Sequence, residues 1–402
     1  MSPVLRGPNQ RRGPDPKRVP TTLLAVALSL NCAACEARDD QAHREQPATV
    51  QPTDSGALSD AARIAALEER IEADRRRLGV PGVAVVIVKE DRVILLRGFG
   101  LRDVERGLPV TPRTLFPIGS CTKSFTALAT VRSADAGVLA LDDSPKRFLP
   151  YFALQDPEAD AGVTLRDLLS HRSGVPDDLP AGWFERYPTA RQLISAAMRS
   201  RPTARPGSRF QYNNYMYVAL GEALAAAHAS TFENVLTTQV LGPLGMRATS
   251  LSISRMIQSA DFSYGYSEDA SRRRLPMDTL DYLTGILAAG GINSNAEEMA
   301  NWIRMLLGGG VLNGDRLVSD AGFRELMTPA IATQSGHYGL GMEMAEWHGE
   351  RLYYHRGGVL GFAARFDILA DRRLGWAILA NVDDQALANA IREAIHEHLI
   401  NS

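Results

Sequence analysis

Val83-Ala84-Val85-Val86-Ile87-Val88 is the stretch that most restricts how this chain can fold. Six small or β-branched apolar residues in a row, closed by Lys89-Glu90-Asp91, read as a buried strand. Arg92–Gly98 supplies its hairpin partner across Glu90-Asp91. Ahead of the pair, Leu58-Ser59-Asp60 caps a helix running to about Arg77, with Ala62, Ile64, Leu67 and Ile71 on one side. From Phe125 to about Leu307 helical patterns take over, at 165–170, 190–199, 215–227 and 296–307, separated by loops rich in Pro and Gly. Strand signals return at 339–344, 351–354, 363–369 and 374–380. A last helix spans 383 to about 400 with Leu387, Ile391 and Ile395 inward. Strands at both ends and helices between predict an α/β (α+β) fold, an antiparallel sheet built from the two terminal segments with a mostly helical domain inserted. Residues 58–115 and 335–402 would form the α/β part and 116–334 the helical part.

The first 35 residues read differently. Arg11, Arg12, Lys17 and Arg18 make a basic segment, Leu23 to Leu30 an apolar one, and Ala33-Ala34 a small-residue step before Cys35. That is an export signal, so the mature chain is expected in the periplasm or cell envelope. Cys32-Ala33-Ala34-Cys35 resembles a bacterial lipobox, which would make Cys35 a lipidated first residue and the membrane a partner through that anchor alone. Ordinary cleavage after Ala34 is the alternative. Residues 36–57, polar and nearly without aliphatic pattern, read as a disordered tether. A net charge of −2 without a basic stripe excludes nucleic acid as a partner. Three cysteines, Cys32, Cys35 and Cys121, imply no disulfide framework.

Chemistry is concentrated in Phe116–Phe125, which holds a Ser-x-x-Lys step, Ser120 to Lys123, entering a helical run. Residues three apart share a helix face, so hydroxyl and amine would lie side by side. Of 44 basic residues only Lys17, Lys89, Lys123 and Lys146 are lysine. Arginine keeps its proton in a protein, whereas a desolvated lysine can lose it and accept one from a serine. With 25 serines and four lysines, about 0.25 chance matches are expected, so the step needs support from elsewhere.

Two later stretches supply it. Tyr212-Asn213-Asn214 follows the Pro206-Gly207 turn and would present a phenol and an amide to one cavity. A cationic neighbour would favour the phenolate and let Tyr212 act as a base. Taken singly, Tyr212, Tyr215 and Tyr217 are equally half-buried aromatics opening a helix. Tyr354-His355-Arg356-Gly357-Gly358 ends a predicted strand, and its glycines would let backbone amides approach a substrate closely. Its plainer reading is a glycine turn between antiparallel strands.

Ser-x-x-Lys, Tyr-x-Asn and His-x-Gly in this order resemble the serine β-lactamase and penicillin-binding superfamily. The nearest branch holds class C β-lactamases, D-alanyl-D-alanine carboxypeptidases, esterases and D-aminopeptidases. Leu168–Gly174, Pro206-Gly207, Ala289-Gly290-Gly291-Ile292 and Tyr338–Gly341 resemble that branch as well. The resemblance implies Ser120 as nucleophile of an acyl-enzyme, Lys123 and Tyr212 sharing general-base work, and Asn214 bonding the acyl side of the substrate. It also implies Ser120 and Gly358 amides as the oxyanion hole, with His355 and Gly357 lining the pocket. The third motif departs from the Lys-Thr-Gly of many members: a fixed charge becomes an imidazole, and the hydroxyl that would help hold a substrate carboxylate is missing.

No metal-ligand pair is present, since His396 and His398 face different ways, and no nucleotide-binding glycine pattern occurs. His171 reads as structural, Cys121 as an inert buried thiol, and Trp183, Phe184 and Tyr187 as a loop beside the cleft or packed on the body. The expectation is an exported serine hydrolase, free of metal and cofactor, acting on an ester or amide of a small molecule or short peptide, peptidoglycan-derived peptides included. Its alternatives are a β-lactamase or D-alanyl-D-alanine carboxypeptidase, and a non-catalytic penicillin- or peptidoglycan-recognising sensor.

Overall fold

The computed structural model describes residues 59–179, 186–187 and 189–401. The expected leader with Cys35, the tether 36–57, Trp183 and Phe184 lie outside these residues.

Nine strands form one antiparallel sheet in the order Leu108–Pro109, Arg92–Asp103, Gly82–Lys89, Leu374–Ala380, Phe362–Leu369, Glu350–Val359, Glu343–Trp347, His337–Tyr338, Ile331–Ala332. The N-terminal hairpin therefore joins the C-terminal strands directly, Val83 opposite Ala380 and Lys89 opposite Leu374. Alternate residues of Gly82–Lys89 point to opposite faces: Val83, Val85 and Ile87 into one apolar layer, Ala84, Val86 and Val88 into another. Both faces are covered, which is why this strand is apolar without a break.

One layer is closed by the helices Asp60–Arg77 and Ala386–Ile395, whose Leu67, Ile71, Leu387, Ile391 and Ile395 are fully buried. Ser59 caps the first of them, accepting from the N–H of Ala62 at 3.3 Å. On the other face the helix Thr122–Asp135 runs through the middle of the molecule with nearly every side chain buried. Phe125 stacks on Trp302 of the helix Ala296–Leu307 with ring centres 3.8 Å apart, and Trp302 meets Phe366 of the sheet edge-on. This aromatic column ties the helix that follows Ser120 to the sheet; truncating Phe125 to alanine would cost about 3–5 kcal/mol.

Three expectations change. The span 339–344 is not a strand: Gly339 to Met342 turn, Gly341 adopts φ +71°, and pairing begins only at Glu343. The strand expected at 351–354 runs from Glu350 to Val359, so Gly357 and Gly358 lie inside it, and the turn falls at Leu360-Gly361. The last α-helix is shorter, Ala386–Ile395, and continues as a wider turn to Ile400.

Candidate active site

Ser120 sits in a single tight turn, Gly119–Cys121, that feeds the helix Thr122–Asp135. The turn is wedged against the strand Glu350–Val359. A Cβ on Gly357 would come within 2.0 Å of the Ile118 carbonyl oxygen, and one on Gly119 within 2.9 Å of the Gly358 nitrogen. Only glycine lets the two backbones approach this closely, so the nitrogens of Ser120 and Gly358 both lie at the seam between turn and strand. The positive end of the helix points there too.

Lys123, one turn on, is fully buried. Its Nζ lies 3.0 Å from Ser120 Oγ, 2.8 Å from Asn214 Oδ1 and 2.8 Å from the carbonyl oxygen of Ala289. None of these partners is a carboxylate. Burial pulls the amine down from its usual value to about 7, resisted by the more distant charge of Asp177.

Tyr212 faces the same serine, and its ring lies 4.8 Å from Lys123 Nζ. Burial pushes its phenol up, against a smaller downward pull from the hydrogen bond with Ser120. The resting group is a phenol. The expected phenolate is not met, because burial of the phenol disfavours its charged form.

His171 holds this tyrosine from behind. Its ring centre is 4.2 Å from that of Tyr212, and its Nδ1 accepts the N–H of Asn213 at 3.0 Å. The imidazole is fully buried, burial keeps it neutral, and its backbone adopts φ +55°. It thereby fixes the first two residues of the Tyr212–Asn214 step.

Of two expected pocket residues, His355 lines the cleft, and both it and Asn214 are engaged by neighbouring groups. Asn214 gives its carbonyl oxygen to Lys123 and directs its amide nitrogen at Asp177 Oδ2, 3.3 Å away, so it clamps the lysine. His355 is 1% exposed; its Nδ1 meets the Arg356 carbonyl at 2.7 Å and its Nε2 the Tyr338 hydroxyl at 3.0 Å. Burial lowers it to about 4, so it is a neutral, engaged part of the floor with no free polar atom for a ligand. Arg356 turns to Glu343, Nη2 to Oε2 3.0 Å, and its charge is spent there. Cys121 is buried behind the serine with its Sγ 3.4 Å from the His355 carbonyl.

The cleft these groups border has a volume of about 910 Å³ and is lined by Ser120, Tyr212, Gly357 and Gly358, with Arg209, Thr333 and Asp383 around the rim. Sequence reasoning passed over Asp177, Asp383 and the Ala289 carbonyl. The Ala289–Ile292 stretch was visible as a motif, but no residue type marks a backbone oxygen as a ligand for an amine.

A family model described as Beta-lactamase matches residues 67–400. Among curated proteins, Protein flp of Staphylococcus aureus (strain NCTC 8325 / PS 47) is 24% identical over 338 residues, covering 82% of this chain and 65% of that protein. Unguisins hydrolase ungD' of Aspergillus campestris (strain IBT 28561) is 25% identical over 349 residues, covering 81% and 62%. The chain thus spans less than two thirds of the length of these relatives. Among solved structures, the octameric penicillin-binding protein homologue from Pyrococcus abyssi superposes with a TM-score of 0.74 at 28% identity, covering 84% of this chain and 77% of that one.

Proposed function

The chain belongs to the β-lactamase family of serine hydrolases, and from that premise we propose that it cleaves an ester or amide through an acyl-enzyme on Ser120. The observation that carries this reading is Lys123 Nζ, buried without a carboxylate partner, 3.0 Å from Ser120 Oγ. A neutral amine there takes the hydroxyl proton as Oγ attacks the carbonyl carbon. The carbonyl electrons move onto oxygen, which the N–H groups of Ser120 and Gly358 receive. As the bond to the leaving group breaks, Tyr212 hands it the phenolic proton. The site then holds an ammonium on Lys123 and a phenolate on Tyr212, each favouring the other across the 4.8 Å from Nζ to the ring. Water attacks the acyl-enzyme, gives a proton to the phenolate, and Lys123 returns its own to Ser120 Oγ. The two groups share the base work by step: Lys123 in acylation, Tyr212 in deacylation.

Ser120→Ala should abolish turnover of p-nitrophenyl butanoate and labelling by a fluorophosphonate. Unchanged turnover by the purified variant overturns the reading. Intact-mass measurement after substrate addition separates a hydrolase, whose adduct decays, from a sensor, whose adduct persists. A β-lactamase or D-alanyl-D-alanine carboxypeptidase is the less favoured reading, because Arg356 is already paired with Glu343 and offers a substrate carboxylate no free charge. Nitrocefin hydrolysis tests it. Export of the chain rests on the basic, apolar and small-residue order of residues 1–35; recovery in the cytoplasmic fraction alone would refute it.

A further inference from the structure

Asp383 is a charged group of the cleft that the chemistry above does not use. It stands just beyond the strand Leu374–Ala380, across Asn381-Val382, and comes up beside Gly358. One of its carboxylate oxygens is 2.7 Å from where a Cβ on Gly358 would stand. Gly358 is itself exposed to the cleft at that point. Asp383 is half-buried, and among the described residues it makes no hydrogen bond and no ion pair. Of the cleft's other charges, Arg356 is paired with Glu343, while Arg209 donates to the neutral Thr203 Oγ1 at 2.8 Å and keeps its charge.

An unpaired carboxylate here has a cost for catalysis. Negative charge develops on the substrate oxygen beside the Gly358 N–H, and a fixed anion against the same glycine opposes it. A cation carried by the substrate and seated against Asp383 removes that opposition and gains an ion pair. A substrate carboxylate in the same place adds a second repulsion. Resting on the reading of Ser120 as nucleophile, we propose that Asp383 is a specificity residue that selects substrates bearing an ammonium or similar cationic group next to the scissile bond and disfavours those bearing a carboxylate there.

The groups that face Asp383 are Glu268, Asp384 and the Tyr282 ring, with no cation among them. Burial first, then the charges of Glu268 and Asp384, raise its carboxyl to about 6. It is therefore ionised at pH 8 and loses its charge on acidification through pH 6.

Matched pairs of esters in which an ammonium replaces a methyl group test this. On the acyl side the pair is p-nitrophenyl 3-aminopropanoate and p-nitrophenyl butanoate. On the leaving-group side it is 2-aminoethyl butanoate and propyl butanoate. With kcat/KM normalised to uncatalysed hydrolysis, the cationic member of at least one pair should be favoured about tenfold at pH 8. Asp383→Asn should bring that ratio close to one, whereas Asp384→Asn, whose Oδ1 accepts the N–H of Ala386 instead, should keep it. In the wild-type protein the ratio should fall toward one below pH 6, a readout that needs no variant. Equal ratios in wild type and Asp383→Asn for both pairs, with p-nitrophenyl butanoate turnover still dependent on Ser120, overturn the role of Asp383 and leave the acyl-enzyme standing. Turnover independent of Ser120 overturns both.

Discussion

Lys123 Nζ donates to the backbone carbonyl of Ala289 at 2.8 Å, an interaction that no change of side chain at position 289 removes. Asn214 Oδ1 accepts a second donor at the same distance. A neutral amine has only two N–H groups, so both are spent and its lone pair is left for Ser120 Oγ, 3.0 Å away. The clamp orients the base, and burial brings it to neutrality near physiological pH.

That arrangement sets the pH dependence of the reaction. In the proposed reaction Lys123 acts as a base only without its proton, and burial holds it at about 7. kcat/KM for p-nitrophenyl butanoate should therefore rise as pH passes through 7 and level off above it. Lys123→Arg cannot lose its proton and should cost roughly 10³-fold or more at every pH, measured against unchanged thermal unfolding.

Asp177 acts on the same limb from outside. Its charge favours the ammonium of Lys123, and its carboxylate accepts from Asn214. Asp177→Asn should move the rise in kcat/KM to lower pH by a few tenths of a unit, because the ammonium loses an attractive charge. A shift to higher pH would contradict the assigned sign.

Tyr212→Phe separates the two halves of the cycle. Without the phenol, no proton reaches the leaving group, so an alkyl ester should lose roughly 10²–10⁴-fold in kcat. A p-nitrophenyl ester, whose leaving group departs unprotonated, should lose less in the first step. Deacylation should slow for both, and the acyl adduct should accumulate in intact-mass spectra.

Gly357→Ala tests the contact between the serine turn and the strand. The added methyl would lie 2.0 Å from the Ile118 carbonyl and 3.1 Å from the Ser120 nitrogen. Strain of about 1–3 kcal/mol should lower the unfolding temperature. Activity should fall further than stability, since the peptide forced to move leads directly into Ser120, whose N–H is a proposed oxyanion donor.

Much of this was legible in the chain. Unbroken Val83–Val88 announced a strand covered on both faces, and the helical middle between two strand-rich ends described the insertion. Ser120 and Lys123 could be paired because helical spacing is local. Gly357 and Gly358 were visible as a close approach, but their place inside a strand was not. Glycine normally signals a turn, and here pairing with Ala364 and Ala363 overrides that preference.

Roles that depend on what a side chain spends its hydrogen bonds on were out of reach. Asn214 and His355 carry the right chemistry for binding a ligand, yet one is consumed by Lys123 and the other by Tyr338 and Arg356. The protonation of Tyr212 also depends on burial, the main cause of its raised phenol. By itself the sequence determined the sheet-and-insert architecture and the pairing of Ser120 with Lys123, because both follow from local periodicity. Only the tertiary structure decided that Lys123 is buried without a carboxylate partner, which polar residues are engaged by neighbours, and that an unpaired Asp383 stands beside Gly358. Those depend on contacts between segments distant along the chain, where desolvation and hydrogen-bond competition act.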